Sequence, residues 1–188
     1  MTEFATHTVD TAPEGSKKML EGVKGKYGFI PNLMGTMAES PELVEGYIAL
    51  AGIFGKTNLS ETERQIITMT NNRLNGCTYC MAAHTTIAKG AGVPDDVIES
   101  LRNDTPIADS KLEALRQFSI VINETRGWPT DAQIQALLDA GYTKQTVLEV
   151  VLGTAYKVLS NYTNHIAETQ VDAAFAPNAW AAADGKAA

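Results

Sequence analysis

Helix-start signals recur along this chain, and they constrain its architecture more than any other feature. Ser40-Pro41 joins an N-cap residue to proline at the first helical position, ahead of an apolar run through Leu43, Val44, Tyr47, Ile48 and Leu50. Ser60 and Glu63 have the spacing of a capping box, and the helix they open carries Ile66, Ile67, Met69 and Leu74 at helical intervals. Pro94 opens a short helix with Asp95 and Asp96 in its first turn, where the helix dipole favours acids. Ser110 with Glu113, and Thr130 with Gln133, predict two more starts; a long helix is expected from about Thr143 to Ala167, broken near Ser160. The first forty residues read as short helices joined at residues 25–31, and Trp128-Pro129 reads as a loop anchor. Few segments alternate with period two between hairpin turns, so no sheet is expected. The reading is all-α: one compact helical domain over residues 1–176 and a loose or partner-contacting Ala-rich tail over 177–188.

Bulk properties exclude several functions. At 188 residues the chain can bury a sizeable core. A formal net charge of −7 and the lack of a basic stripe argue against nucleic-acid binding. No run approaches the roughly 20 apolar residues of a membrane span, so no membrane partner is expected. The first residues, Met-Thr-Glu-Phe-Ala-Thr-His, have neither a basic nor an apolar leader region, and the expected compartment is the cytoplasm. No Gly-rich phosphate loop or other motif implies a cofactor.

Chemistry concentrates in Cys77-Thr-Tyr-Cys80-Met-Ala-Ala-His84. These are the only two cysteines, and a bridge between them would close too small a loop to be a structural staple. On a helix, positions i, i+3 and i+7 share a face, which aligns Cys77, Cys80 and His84. Asn75-Gly76 marks a break before them and puts both thiols in the first turn of a new core helix. There the unpaired N–H groups and the dipole favour a thiolate, the reactive form of cysteine. A thiol that reduces a peroxide becomes a sulfenic acid, which condenses with a neighbouring thiol to a disulfide. His84 is placed to move the protons. Two inert buried cysteines remain one alternative. A zinc site is another, with His165 as a fourth ligand to C-x2-C-x3-H, although no second Cys-rich segment exists. A thioredoxin fold lacks its βαβ context here.

A weak internal similarity at an offset of 84 residues lays Asn161-Tyr-Thr-Asn164 on Cys77-Thr-Tyr-Cys80 and Glu149 on Gln65. Asn161 and Asn164 are otherwise read as caps at the expected kink.

The segment from Leu59-Ser-Glu-Thr-Glu-Arg-Gln65 to Asn75-Gly-Cys-Thr-Tyr-Cys-Met-Ala-Ala-His84 resembles the carboxymuconolactone decarboxylase superfamily, in its alkylhydroperoxidase D-like branch. The resemblance implies an all-α fold assembled as trimers or hexamers, and a thiol peroxidase acting on organic hydroperoxides. It implies that Cys80 attacks, Cys77 resolves and His84 belongs to a proton relay. It also implies a dithiol reductant protein, such as one bearing lipoyl groups. The family's glutamate twelve residues before the first cysteine is replaced here by Gln65, which cannot exchange a proton in this range. Three substitutes are open: Gln65 orients Cys77 or a water, Glu149 takes over, or His165 enters the same pocket. Decarboxylase-like chemistry and a non-catalytic redox-sensing oligomer are the alternative functions; an acidic chain offers no evident positive pocket for the former.

Overall fold

The computed structural model describes residues 3–181. Its described helices are α1 (Glu14–Tyr27), α2 (Asn32–Met37), α3 (Pro41–Phe54), α4 (Glu61–Leu74), α5 (Thr78–Gly90), α6 (Asp95–Asn103), α7 (Ser110–Glu124), α8 (Asp131–Asp139) and α9 (Lys144–Ala167). A short 3-10 turn follows at Ala176–Asn178, and no strand occurs among the described residues. None of these helices is long and apolar enough to cross a membrane.

The caps work as their chemistry dictates. Ser40 Oγ accepts from the Leu43 amide, and the Ser60–Glu63 and Thr130–Gln133 boxes close in both directions. One start is shifted. Asp109, not Ser110, caps α7, taking the Leu112 amide at 3.0 Å, while Glu113 turns back to the Ile107 amide at 2.8 Å. The expected break in α9 is also absent. Ser160 Oγ donates to the Lys157 carbonyl of its own helix, and α9 runs unbroken through that turn. Trp128 anchors nothing: it is 83% exposed.

α4 is the centre of the molecule, packed against α5, α6, α7 and α9. Eight successive residues, Gln65 to Asn72, are buried, so the helix is enclosed on every side. Ile66, Ile67 and Met69 meet Phe54, Met81, Leu115, Phe118 and Val150 in the main core. Burying one such side chain contributes about 1.5–3 kcal/mol. α9 comes closest at Gly153, where a Cβ would lie 2.6 Å from Ile67 Cγ2 and 2.9 Å from the Phe54 ring.

The buried asparagines form a polar seam that fixes the helices around the start of α5. Asn123 donates to Asn71 and Asn75, Asn75 to Asn161, and Asn161 to Asn72. Asn72 in turn donates to the Cys80 carbonyl at 3.2 Å. Such a seam holds only when each member is satisfied, and here each amide finds a partner on a different helix or turn.

The segment after α9 closes over the same end. Asp172 accepts from the Asn32 amide and from Tyr79 Oη at 2.6 Å, and Phe175 sets its ring edge-on to Tyr79. The start of the expected loose tail is docked: Asn178 bonds to Thr86 and Lys89, and Trp180 Nε1 donates to the Arg102 carbonyl. Residues 182–188 of that tail lie outside the described residues.

Candidate functional site

Gly76, at φ +70°, makes the sharp turn between α4 and α5 that the Asn75-Gly76 pair predicts. It delivers Cys77 as the N-cap of α5, its Sγ accepting from the Cys80 amide at 3.4 Å. Cys77 and Cys80 are both buried and both free thiols. Asn164 on α9 reaches both, with Nδ2 at 3.1 Å from Cys80 Sγ and 3.6 Å from Cys77 Sγ. Their acidities diverge. Burial pushes the Cys80 thiol up, but the Cys77 hydrogen bond, the Lys157 charge and contacts from Ser160 and Asn161 outweigh it and bring it to about 6. The Cys77 thiol is held well above its ordinary range, first by its hydrogen bond to Cys80 and then by burial. Both shifts point the same way, favouring the proton on Cys77 and the negative charge on Cys80.

The charge that faces Cys80 comes from a residue that the sequence did not single out. Lys157 is 1% exposed, and its Nζ lies 3.0 Å from His84 Nε2. Gln65 Nε2 meets the Glu61 carboxylate at 2.7 Å, so this end of the amide must donate and Oε1 is the end turned to His84. Oε1 lies 2.9 Å from His84 Nδ1, which therefore carries the ring proton. His84 Nε2 is left as an acceptor, and Lys157 Nζ donates to it. Hydrogen bonds thus run from Lys157 through His84 and Gln65 to Glu61 in one fixed polarity. Burial first, and the Lys157 charge second, hold His84 well below its ordinary pKa, so the ring is neutral.

This arrangement sorts the candidates. Gln65 serves His84, not Cys77. His84 meets Gln65, Thr68 and Lys157, and no bond from it to either sulfur occurs among the described residues. Glu149 is not brought to the site: it takes the Asn58 amide and Gln145, on the α3–α4 side. His165 lies beside Cys77 but not in the His84 pocket. Asn161 and Asn164 are not caps at a kink but reach the seam and the thiols. Lys157 had one visible signal: it falls on the buried stripe Val150, Gly153, Lys157, Ser160, Asn164, a 3–4 spacing in which a lysine is out of place.

Cys80, His84 and Lys157 line an apolar pocket of about 130 Å³, walled by Leu33, Tyr47, Tyr79, Tyr156 and Phe175. It adjoins a cleft of about 550 Å³ that shares His84 and Tyr156 and carries Lys18, Lys26 and Arg64 against Glu61. The cleft is therefore more cationic than an acidic chain suggests. Among the described residues, no three His, Cys, Asp or Glu side chains gather as metal ligands.

Residues 41–118 match the model of the carboxymuconolactone decarboxylase family. Solved structures extend the likeness across nearly the whole chain. The alkylhydroperoxidase AhpD core of a peroxidase-related protein from Ralstonia eutropha JMP134 superposes at TM-score 0.80 with 22% identity, covering 92% of this chain and 93% of that one. A peroxidase-related protein from Silicibacter sp. TM1040 gives 0.78 at 18% identity, over 93% and 92%. The debrominase Bmp8, in complex with 2,3,4-tribromopyrrole, gives 0.78 at 18% identity, over 95% and 96%. The fold is AhpD-like throughout; at these identities the likeness is one of fold. No curated protein matches the sequence.

Proposed function

We propose that the chain is a thiol-dependent hydroperoxide reductase. The observation that carries this reading is geometric: Cys80 lines an apolar pocket with Lys157, and Asn164 Nδ2 reaches both Cys80 Sγ and Cys77 Sγ, which places the two thiols together. Cys80 Sγ attacks the terminal oxygen of an organic hydroperoxide and the O–O bond breaks. Cys80 becomes a sulfenic acid, and the leaving alkoxide takes a proton from the Lys157 ammonium. Cys77 then attacks the Cys80 sulfur, releasing water and forming the disulfide. A dithiol reduces the disulfide, returning one proton to Cys77 and one to Lys157. His84, fixed by Gln65, holds Lys157 at the reacting atoms. A glutamine suffices at position 65 because the proton donor is the lysine.

The apolar walls favour a small organic hydroperoxide. With a dithiol present, wild type is expected to consume cumene hydroperoxide catalytically, and Cys80→Ser is expected to lose that turnover. Equal turnover in both would overturn the reading. The cationic cleft supports a second reading, decarboxylase-like chemistry on an anionic substrate; that activity would survive in Cys80→Ser.

We also propose that the chain works as a homo-oligomer. Leu148, Val151, Tyr162 and Ile166 lie exposed along α9, a stripe that another copy would cover. Sedimentation as a monomer would contradict this.

A further inference from the structure

The two thiols face different cavities. Cys80 lines the apolar pocket, whereas Cys77 lines a second cavity of about 560 Å³, and Tyr79 walls both. That volume lies within the range of small-molecule sites, about 300–1,000 Å³. Polar and apolar surface are about equal on the walls of the second cavity, with Thr78, Asn164, His165, Glu168, Thr169 and Gln170 beside Tyr79 and Val171.

Three of the seven buried side-chain polar atoms without a partner among the described residues belong to its lining: Asn164 Oδ1, His165 Nε2 and Thr169 Oγ1. A buried polar atom left unpaired costs about 1–3 kcal/mol, and three of them lie in the residues of this one wall. Asn164 is 95% buried by its 5% exposure, and its Nδ2 is already committed to the sulfurs, leaving Oδ1 as its free end. The hydroperoxide chemistry on the Cys80 side uses none of these atoms except through Asn164 Nδ2.

We propose that this cavity admits the dithiol reductant, which attacks Cys77 Sγ to reopen the Cys77–Cys80 disulfide. The inference rests on the disulfide cycle above. The first thiol passes its proton to His165 Nε2, and its sulfur bonds to Cys77 Sγ as the Cys77–Cys80 bond breaks. Cys80 departs as the thiolate that Lys157 and Asn164 already stabilise, which makes it the better leaving group of the pair. The second thiol of the reductant then gives its proton to the departed Cys80 thiolate, which passes it to Lys157, and attacks the reductant sulfur of the mixed disulfide. Cys77 leaves and recovers the proton held by His165. Two electrons and two protons pass from the dithiol, which ends as a disulfide. Burial lowers the pKa of His165, which keeps its ring neutral and able to accept. Oxidant and reductant thus approach from opposite sides of Tyr79 and do not compete for one pocket.

The test starts from protein oxidised with diamide, so that disulfide formation does not depend on hydroperoxide. Excess 2-mercaptoethanol is added, the reaction is quenched with acid, and free thiols are capped with N-ethylmaleimide. Fragment mass spectrometry is expected to place the mercaptoethanol adduct on Cys77 and the maleimide on Cys80. An adduct mainly on Cys80, or failure of diamide to form the disulfide, overturns the proposal. Gln170→Trp, at the exposed rim, is expected to slow dithiothreitol reduction about tenfold or more by limiting access. His165→Gln is expected to move the pH dependence of that reduction. Wild-type reduction rates and pH profile in both variants would also overturn it. A Cys77 adduct in a protein that does not consume hydroperoxide would leave this entry route standing and reject the peroxidase reading alone.

Discussion

Replacing Lys157 by Met removes the charge that faces Cys80 while filling nearly the same volume. An opposite charge in contact range lowers a pKa by about 1–3 units, so the Cys80 thiol should rise from about 6 to roughly 7–9. At pH 6 the thiolate fraction then falls from about half to about a tenth or less. The more basic thiolate is also a better nucleophile, by about threefold per unit, which offsets part of the loss. The net expectation is alkylation roughly two- to twentyfold slower at pH 6 and faster than wild type above about pH 9. Iodoacetamide alkylation rates across this range, with thiolate absorbance as an independent titration, measure the midpoint directly. Thermal unfolding of the same samples verifies that the helical domain persists. A midpoint that stays near the wild-type value in Lys157→Met would refute the assignment of Lys157 as the counter-charge.

Other expectations follow from the same geometry. Gln65→Glu places a carboxylate against His84 Nδ1–H; the His84 titration, followed by NMR, should move up by about one unit or more, and no movement would break the proposed polarity. Gly153→Ala forces a Cβ into Ile67 and Phe54 and should cost about 1–3 kcal/mol in urea denaturation. Both Cys80 and His84 have folded-state pKa values below their unfolded ones. The stability they contribute is complete above the unfolded values, near 8.5 and 6.5, and is lost as pH falls through the folded values. Urea unfolding should therefore weaken from pH 8.5 to pH 5, less steeply in Cys80→Ser and His84→Gln.

The helices were legible because their starts depend on local chemistry: Ser60 with Glu63 and Thr130 with Gln133 form their boxes whatever packs above them. At α7 the pattern pointed to Ser110 and the cap is Asp109, because Glu113 is drawn to the Ile107 amide and Arg116 instead of back to residue 110. The thiol pair, His84 and their place at the start of α5 were also readable, since spacing on one helix is itself geometry. What was not readable came from tertiary meetings. Lys157 lies 73 residues from His84, and only the enclosure of α9 between α3, α4 and α7 turns a default surface residue into a buried cation. Asn161 and Asn164 passed for caps because asparagine serves both roles, and only the seam distinguishes them. Glu149 was a reasonable substitute on a sequence offset, yet its carboxylate is spent on the Asn58 amide and Gln145.

The most direct measurement of the central claim is the fate of Cys80 when its partner is removed. Prereduced Cys77→Ser is treated with one equivalent of cumene hydroperoxide in the presence of dimedone, and the adduct is located by fragment mass spectrometry. The account predicts a sulfenic-acid adduct on Cys80, matched in wild type by loss of two thiols per hydroperoxide. Unmodified Cys80 with the hydroperoxide intact in both proteins would contradict it.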